Sequence, residues 1–289
     1  MIRGCQCLKD AGAAFTIQIV PMRANYHQYQ EMREVARSLS SNVRIGASWL
    51  YCSASGSFNR NTEIRNQRLT PQQSVLVEGP GPDYPDESGI CARSPEDTLF
   101  SACIRRRREF YINPYGKMTF CSFIQDPDLY YDLRKGNFQE AWECFIPGIS
   151  DRVRANEEYR THCGRCELRY DCRWCPAFSY LEYHRYSAPI PYLCEIAQET
   201  RRAIEAWNTE HRRFYSLAGI TIDVASDLPI TDLTFLEKFK LFEQKGPGDD
   251  TISIRHHFYL PKIDEEKIGE RVYRKSPWSI YHNGRSWIY

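Results

Sequence analysis

Four cysteines fall within thirteen residues, as Cys163-Gly-Arg-Cys166 and Cys172-Arg-Trp-Cys175, with five residues between the two C-x-x-C knuckles. Cys194 follows after a gap. A C-x-x-C knuckle turns two thiolates towards one centre while its own amides point at the sulfurs. Such a density of soft ligands suits a metal ion or an iron–sulfur cluster. A disulfide framework or inert buried thiols are the competing readings. They fit a long chain without a secretory signal less well. A four-cysteine set is also what structural zinc prefers, so a zinc-stabilised interaction domain stays open at this point.

The elements that must position these cysteines can be read in order. At 289 residues the chain has room for about two domains. Lys plus Arg number 38 and Asp plus Glu 37, which gives no global electrostatic case for nucleic acid or an anionic membrane. No apolar run reaches the ~18–20 residues of a membrane span. Ala11 to Val20 is mildly apolar and reads as a strand rather than a signal peptide. Twelve cysteines without such a signal fit a reducing cytoplasm.

Residues 1–78 alternate β and α. Phe15 to Val20 and Val43 to Tyr51 read as strands. Tyr29, Met32, Val35, Ala36 and Leu39 form a helical stripe between them, so a parallel βαβ unit is expected. Two strands and one helix cannot complete a parallel sheet covered on both faces, so the chain is expected to begin within a domain. Cys5 and Cys7 are too few for a site. The Gly- and Pro-rich residues 79–89 read as a linker.

Phe110 to Ile112 and Lys117 to Phe120 flank Asn113-Pro114-Tyr115-Gly116, whose residue types favour a type I turn. This hairpin is expected to bring Cys103 and Cys121 to one side. The run Arg105 to Arg108 reads as a solvated face, the alternative being contact with an anionic peptide or cofactor. Asn137 followed by Glu140 marks a helix start with Trp142 and Phe145 on its buried side. Cys144 is expected there as a buried, inert thiol. Ile196, Thr200, Ala203, Ile204, Trp207, His211 and Phe214 trace another helical stripe.

Residues 219–289 are β-rich. Ile252 and Ile254 open a strand, and Trp278 to Tyr289, with Asn283-Gly284, reads as a hairpin. His256 and His257 would point to opposite faces of a strand and make no metal site. The tail holds no phosphate-binding loop and no nucleophile elbow.

From the hairpin onward the pattern is Cys103, twelve residues, Gly116, four residues, Cys121, then Cys163, Cys166, Cys172, Cys175 and Cys194. This resembles the SPASM domain, the C-terminal module of many radical SAM enzymes that modify peptides and proteins. The likeness covers about residues 95–200 and includes the Gly136-Asn137-Phe138 helix start. One spacing departs: two residues separate Cys172 from Cys175, where the family commonly has three.

The resemblance implies two auxiliary four-iron four-sulfur clusters. Cys163, Cys166, Cys172 and Cys194 would ligate the distal one, and Cys103, Cys121 and Cys175 the one nearer the barrel. With three thiolates, the latter would keep one iron open to a substrate thiolate or capped by Cys91. The implied fold is α/β and α+β: the end of a radical SAM partial (β/α) barrel over 1–78, a SPASM domain with trailing helix over 90–215, and a small β-rich segment over 219–289. The tail also resembles the N-terminal portion of HPr-kinase-like domains. The implied activity is peptide maturation, with a peptide or protein substrate and either an N-terminal half or a reductant protein as partner. Nucleic acid and membrane are not expected partners. No C-x-x-x-C-x-x-C occurs. S-adenosylmethionine is therefore expected only in a complete parent protein, of which this chain would be a fragment. The alternative is a non-catalytic iron–sulfur module that binds a peptide or passes electrons.

Overall fold

In the computed structural model, residues 2–53, 57–79, 99–106, 109–256, 269–275, 278–282 and 287–288 are described. The chain divides into two compact units, Met1–Ala206 and Trp207–Tyr289.

The first unit opens with α1 (Ile2–Asp10), which buries none of its residues. Strand β1 (Thr16–Ile19), helix α2 (Tyr29–Leu39) and strand β2 (Asn42–Ile45) follow. β1 and β2 pair in parallel, Thr16 opposite Asn42 and Ile19 opposite Ile45. The βαβ reading of this stretch therefore holds, with α2 burying Tyr29, Ala36 and Leu39 from its stripe. Both strands are shorter than expected. Ala11–Ala14 forms no strand, and beyond Ile45 the chain turns into a 3₁₀ segment at Ala47–Trp49. Gly46 permits that bend: a Cβ there would lie 2.2 Å from the Trp49 ring.

Helices α3 (Phe58–Gln67) and α4 (Pro71–Glu78) come next, and neither is expected from periodicity. α4 starts at a capping box. The Thr70 hydroxyl accepts from Gln73 N at 3.2 Å, Gln73 Oε1 accepts from Thr70 N at 3.1 Å, and Pro71 sits in the first turn. Among the described residues the parallel sheet has two strands and no closed barrel forms. The expected linker falls almost wholly in residues 80–98, which lie outside the described residues, as does Cys91.

After the short helix α5 (Ser101–Arg106), strands β3 (Tyr111–Ile112), β4 (Lys117–Thr119) and β5 (Tyr131–Asp132) form an antiparallel sheet. The β3–β4 turn follows the expected chemistry. Gly116 N donates to Asn113 O at 3.0 Å, and Gly116 takes φ +70°, which a side chain would resist. A bent helix follows: α6 (Phe138–Glu140), a π-helical turn at Ala141–Phe145, and α7 (Ile146–Arg152). Its start is capped as expected, Asn137 Oδ1 accepting from Glu140 N at 2.8 Å. Trp142 and Phe145 pack against the core, but Cys144 is exposed, which corrects the expectation of a buried thiol.

Helices α8 (Glu157–Thr161), α9 (Pro176–Tyr183) and α10 (Pro191–His211) complete the helical part. One core joins these segments, centred on Met118, Ile146, Ile149, Tyr159, Trp174 and Phe178. The Trp174 indole is buried and satisfied, its Nε1 donating to Ala188 O at 2.8 Å. The division between units falls within α10.

The second unit holds β6 (Arg212–Leu217), β7 (Ile220–Ser226), β8 (Glu243–Gln244) and β9 (Thr251–His256) in the order β8-β6-β7-β9. β9 runs parallel to β7. Phe214 belongs to β6, not to the helical stripe expected to reach it. Its small core is Tyr215, Val224 and Ile230. Arg212 clamps Asp223 through two bonds of 2.7 and 2.6 Å. Strands β10 (Glu270–Lys275), β11 (Trp278–His282) and β12 (Trp287–Ile288) form a separate antiparallel sheet. β11 and β12 pair as the expected hairpin requires; Asn283, Gly284 and His257 lie outside the described residues.

Candidate metal centre

Each knuckle cysteine is set by local structure. Cys163 follows α8 and is buried in the main core. Gly164 N donates to Tyr159 O at 2.8 Å, turning the chain directly after it. Cys166 precedes a 3₁₀ segment, Glu167–Tyr170, and its carbonyl accepts from Arg169 N at 3.1 Å. The loop between the knuckles is pinned by Asp171, which accepts from Arg201 Nε at 2.8 Å and Nη2 at 2.5 Å. Cys175 is the N-cap of α9: its Sγ accepts from Phe178 N at 3.3 Å. A sulfur in that position takes up an otherwise unsatisfied amide of the first turn.

Cys194 lies in the first turns of α10, its N–H bonded to Ile190 O at 3.1 Å. Cys172 Sγ lies 4.0 Å from the carbonyl of Leu193, the residue before Cys194. Burial pushes the Cys194 thiol up, and charge on Cys172 and then on Cys166 would push it further. Cys172 and Cys166 therefore both lie near Cys194, and Cys163 is buried in the main core.

A second neighbourhood forms around Tyr51. Its ring lies 4.4 Å from Phe123 and 4.5 Å from Phe178, centroid to centroid. Phe123 follows Cys121 closely, and Phe178 donates its amide to Cys175. Burial raises the Tyr51 hydroxyl above its usual range, and charge on Cys175 and Cys121 acts in the same direction. The Cys121 thiol is itself raised by burial. Cys103 is exposed on α5.

Among the described residues, no three or more His, Cys, Asp or Glu side chains are gathered into a group that could hold a metal ion. The relation among the cysteines is neighbourhood rather than coordination. The donor chemistry nonetheless suits a soft metal. A thiol raised by burial stays protonated alone, and a bound cation reverses that preference by taking the thiolate.

One charged cluster has no counterpart in the sequence reading. Glu182, in the last turn of α9, accepts from Arg65 Nε at 2.9 Å, pairs with Arg68, and accepts from the Cys52 thiol at 3.2 Å. Arg68 also stacks over Phe178 and Tyr192, at 5.4 and 5.0 Å from their centroids. Burial works against ionising Glu182, but the bonds and charge of Arg68, followed by Arg65, leave its carboxyl below the usual range. The cluster ties Cys52, Arg65 and Arg68 to the helix that Cys175 caps.

Comparison with known proteins gives no match, whether to a family model, a curated protein or a solved structure. Among the described residues no helix is long and apolar enough to cross a membrane.

Proposed function

We propose that this chain carries the auxiliary-cluster part of a radical SAM peptide-modifying protein of the SPASM type, working in the reducing cytoplasm. Its cysteines would hold two four-iron four-sulfur clusters. One observation carries the reading: the thiols sort into two neighbourhoods. Cys172 and Cys166 both lie near enough to Cys194 for their charge to act on its thiol, while Cys121 and Cys175 act in the same way on Tyr51, whose ring packs against Phe123 and Phe178. The resemblance in the cysteine pattern divides them in the same way, with Cys163 joining the first set and Cys103 the second.

When bound, such clusters supply one-electron transfer and, at an iron lacking a protein thiolate, a seat for a ligand thiolate. The chain's own residues would do the rest. Cys175 would hold its sulfur at the head of α9, where an amide already donates to it. The Asp171–Arg201 pair would fix the loop between the knuckles. Trp174 and Tyr159, both buried, would exclude water from one side. The sequence contains no C-x-x-x-C-x-x-C, so the proposal gives this chain binding of a peptide and relay of electrons rather than cleavage of S-adenosylmethionine.

Anaerobic reconstitution of the full chain tests the proposal. About eight iron atoms per chain are expected with both clusters, or about four with the distal one alone. Cys194→Ala and Cys163→Ala are each expected to remove the distal cluster. Retention of zinc in place of iron, or full iron content in both variants, would overturn it.

A further inference from the structure

β1 and β2 run parallel, and the chain leaves both at the same edge. Past β1 come Val20 and Met22; past β2 come Trp49, Leu50 and Tyr51. With Cys52, Ser122, Phe123 and Leu181, these residues line an open pocket of about 420 Å³ whose lining includes no charged side chain. Ligands of parallel α/β sheets bind beyond the carboxyl ends of the strands, and this is where the cavity opens. Two other cavities of the first unit, about 600 and 370 Å³, are lined by arginines and carboxylates.

Its walls are held rather than loose. Trp49 lies under the Arg173 guanidinium, 5.5 Å from the ring centroid. Arg173 in turn pairs with Glu78 at 3.5 Å, and Glu78 accepts from Ser48 N at 2.8 Å. Tyr51 forms the wall shared with the cysteines: its ring contacts Phe123 and Phe178, next to Cys121 and Cys175.

We propose that this cavity is a side-chain subsite, taking one bulky apolar residue, aromatic or branched aliphatic, of a peptide ligand. The chain presents that peptide's neighbouring residues to the Cys121–Cys175 side of Tyr51. That the ligand is a peptide rests on the function proposed above; the preference for an apolar group rests on the lining alone. A polar side chain would give up part of its hydration against this lining, which offers it no charged group of its own.

Saturation-transfer NMR on the full chain tests this, with N-acetyl-phenylalaninamide and N-acetyl-leucinamide against N-acetyl-serinamide and N-acetyl-lysinamide as probes. The apolar pair is expected to bind at least about tenfold more tightly than the polar pair. Val20→Phe fills the cavity from the β1 side, and Ser122→Trp, at an exposed rim position, closes it without touching the core. Both are expected to abolish the preference. Equal binding of all four probes, or a preference that survives in Ser122→Trp, would overturn the subsite. Iron content measured on the same samples separates the two readings. Selectivity without iron keeps the subsite and removes the cluster assignment; iron without selectivity does the reverse.

Discussion

Cys52 and Glu182 meet across 130 residues of chain, the thiol donating to Oε1 at 3.2 Å. Burial, then the carboxylate's charge, pushes the Cys52 thiol up to about 11. The contact is closed by Arg68, whose side chain is also buried. A buried carboxylate held by two guanidiniums and one thiol is a joint between two parts of the first unit, Cys52 with the end of α3 at Arg65 and Arg68, and helix α9, which Cys175 caps.

Removing the carboxylate should therefore be costly. Glu182→Ala leaves Arg68 buried without its partner, and the first unit is expected to lose about 3–5 kcal/mol. Urea unfolding of the full chain, followed by tryptophan fluorescence, measures this. A loss below about 1 kcal/mol, the range of an exposed pair, would show that the joint is solvated.

The same pair sets an acid response. The folded-state pKa of Glu182 lies below its ordinary value of 4.5, so its contribution is present above about that pH and lost as pH falls through the folded value. The stability gap between the wild type and Glu182→Gln should be widest near neutrality and should narrow below about pH 4.5. Melts from pH 7 to 3 check this; a gap independent of pH would contradict it.

Thiol chemistry should separate the cysteines. Cys144 and Cys7 are exposed, whereas Cys52 is buried and its thiol raised. Iodoacetamide at pH 8 is expected to label Cys144 and Cys7 first and Cys52 only on unfolding. Peptide mass mapping gives the order, and labelling of Cys52 as fast as Cys144 would refute the packing.

Gly136 is fixed by a close approach rather than by backbone angle. A Cβ there would lie 1.6 Å from the Tyr131 hydroxyl and 2.9 Å from Glu140 Oε2, which themselves bond at 2.5 Å. Gly136→Ala must push this pair apart and is expected to cost up to about 1 kcal/mol, the net worth of the hydrogen bond, in a thermal or denaturant melt. Gly148, whose Cβ would meet nothing within 4 Å, provides the control. Equal effects of the two alanines would argue against the contact.

The parts that were legible in the sequence share a local cause. The α2 stripe, the Asn113–Gly116 turn and the Asn137 cap are each written within a few residues, and each appears. What was not legible depends on distance along the chain or on mixed signals. α3 carries no apolar stripe, and α4 announces itself only by Thr70-Pro71 with Gln73. Val43 to Tyr51 reads as one strand, but Gly46 lets Trp49 fold back and ends it at Ile45. Cys144 sits in a π turn, which no 3.6-residue period anticipates. The Cys52–Glu182 contact and the placing of Tyr51 beside Cys121 and Cys175 carry no local spacing signal at all.

Helix α9 begins on the sulfur of Cys175 and carries Glu182 in its last turn. Its eight residues act as a ruler of about 12 Å between a candidate ligand sulfur and the arginine joint. One residue inserted or deleted between those ends would swing Glu182 by about 100° around the helix axis, away from Cys52 and Arg68. Substitutions along α9 can be absorbed by repacking, but a change in its length cannot. The stretch from Cys175 to Glu182 is thus a gauge length that any working variant of this chain must keep.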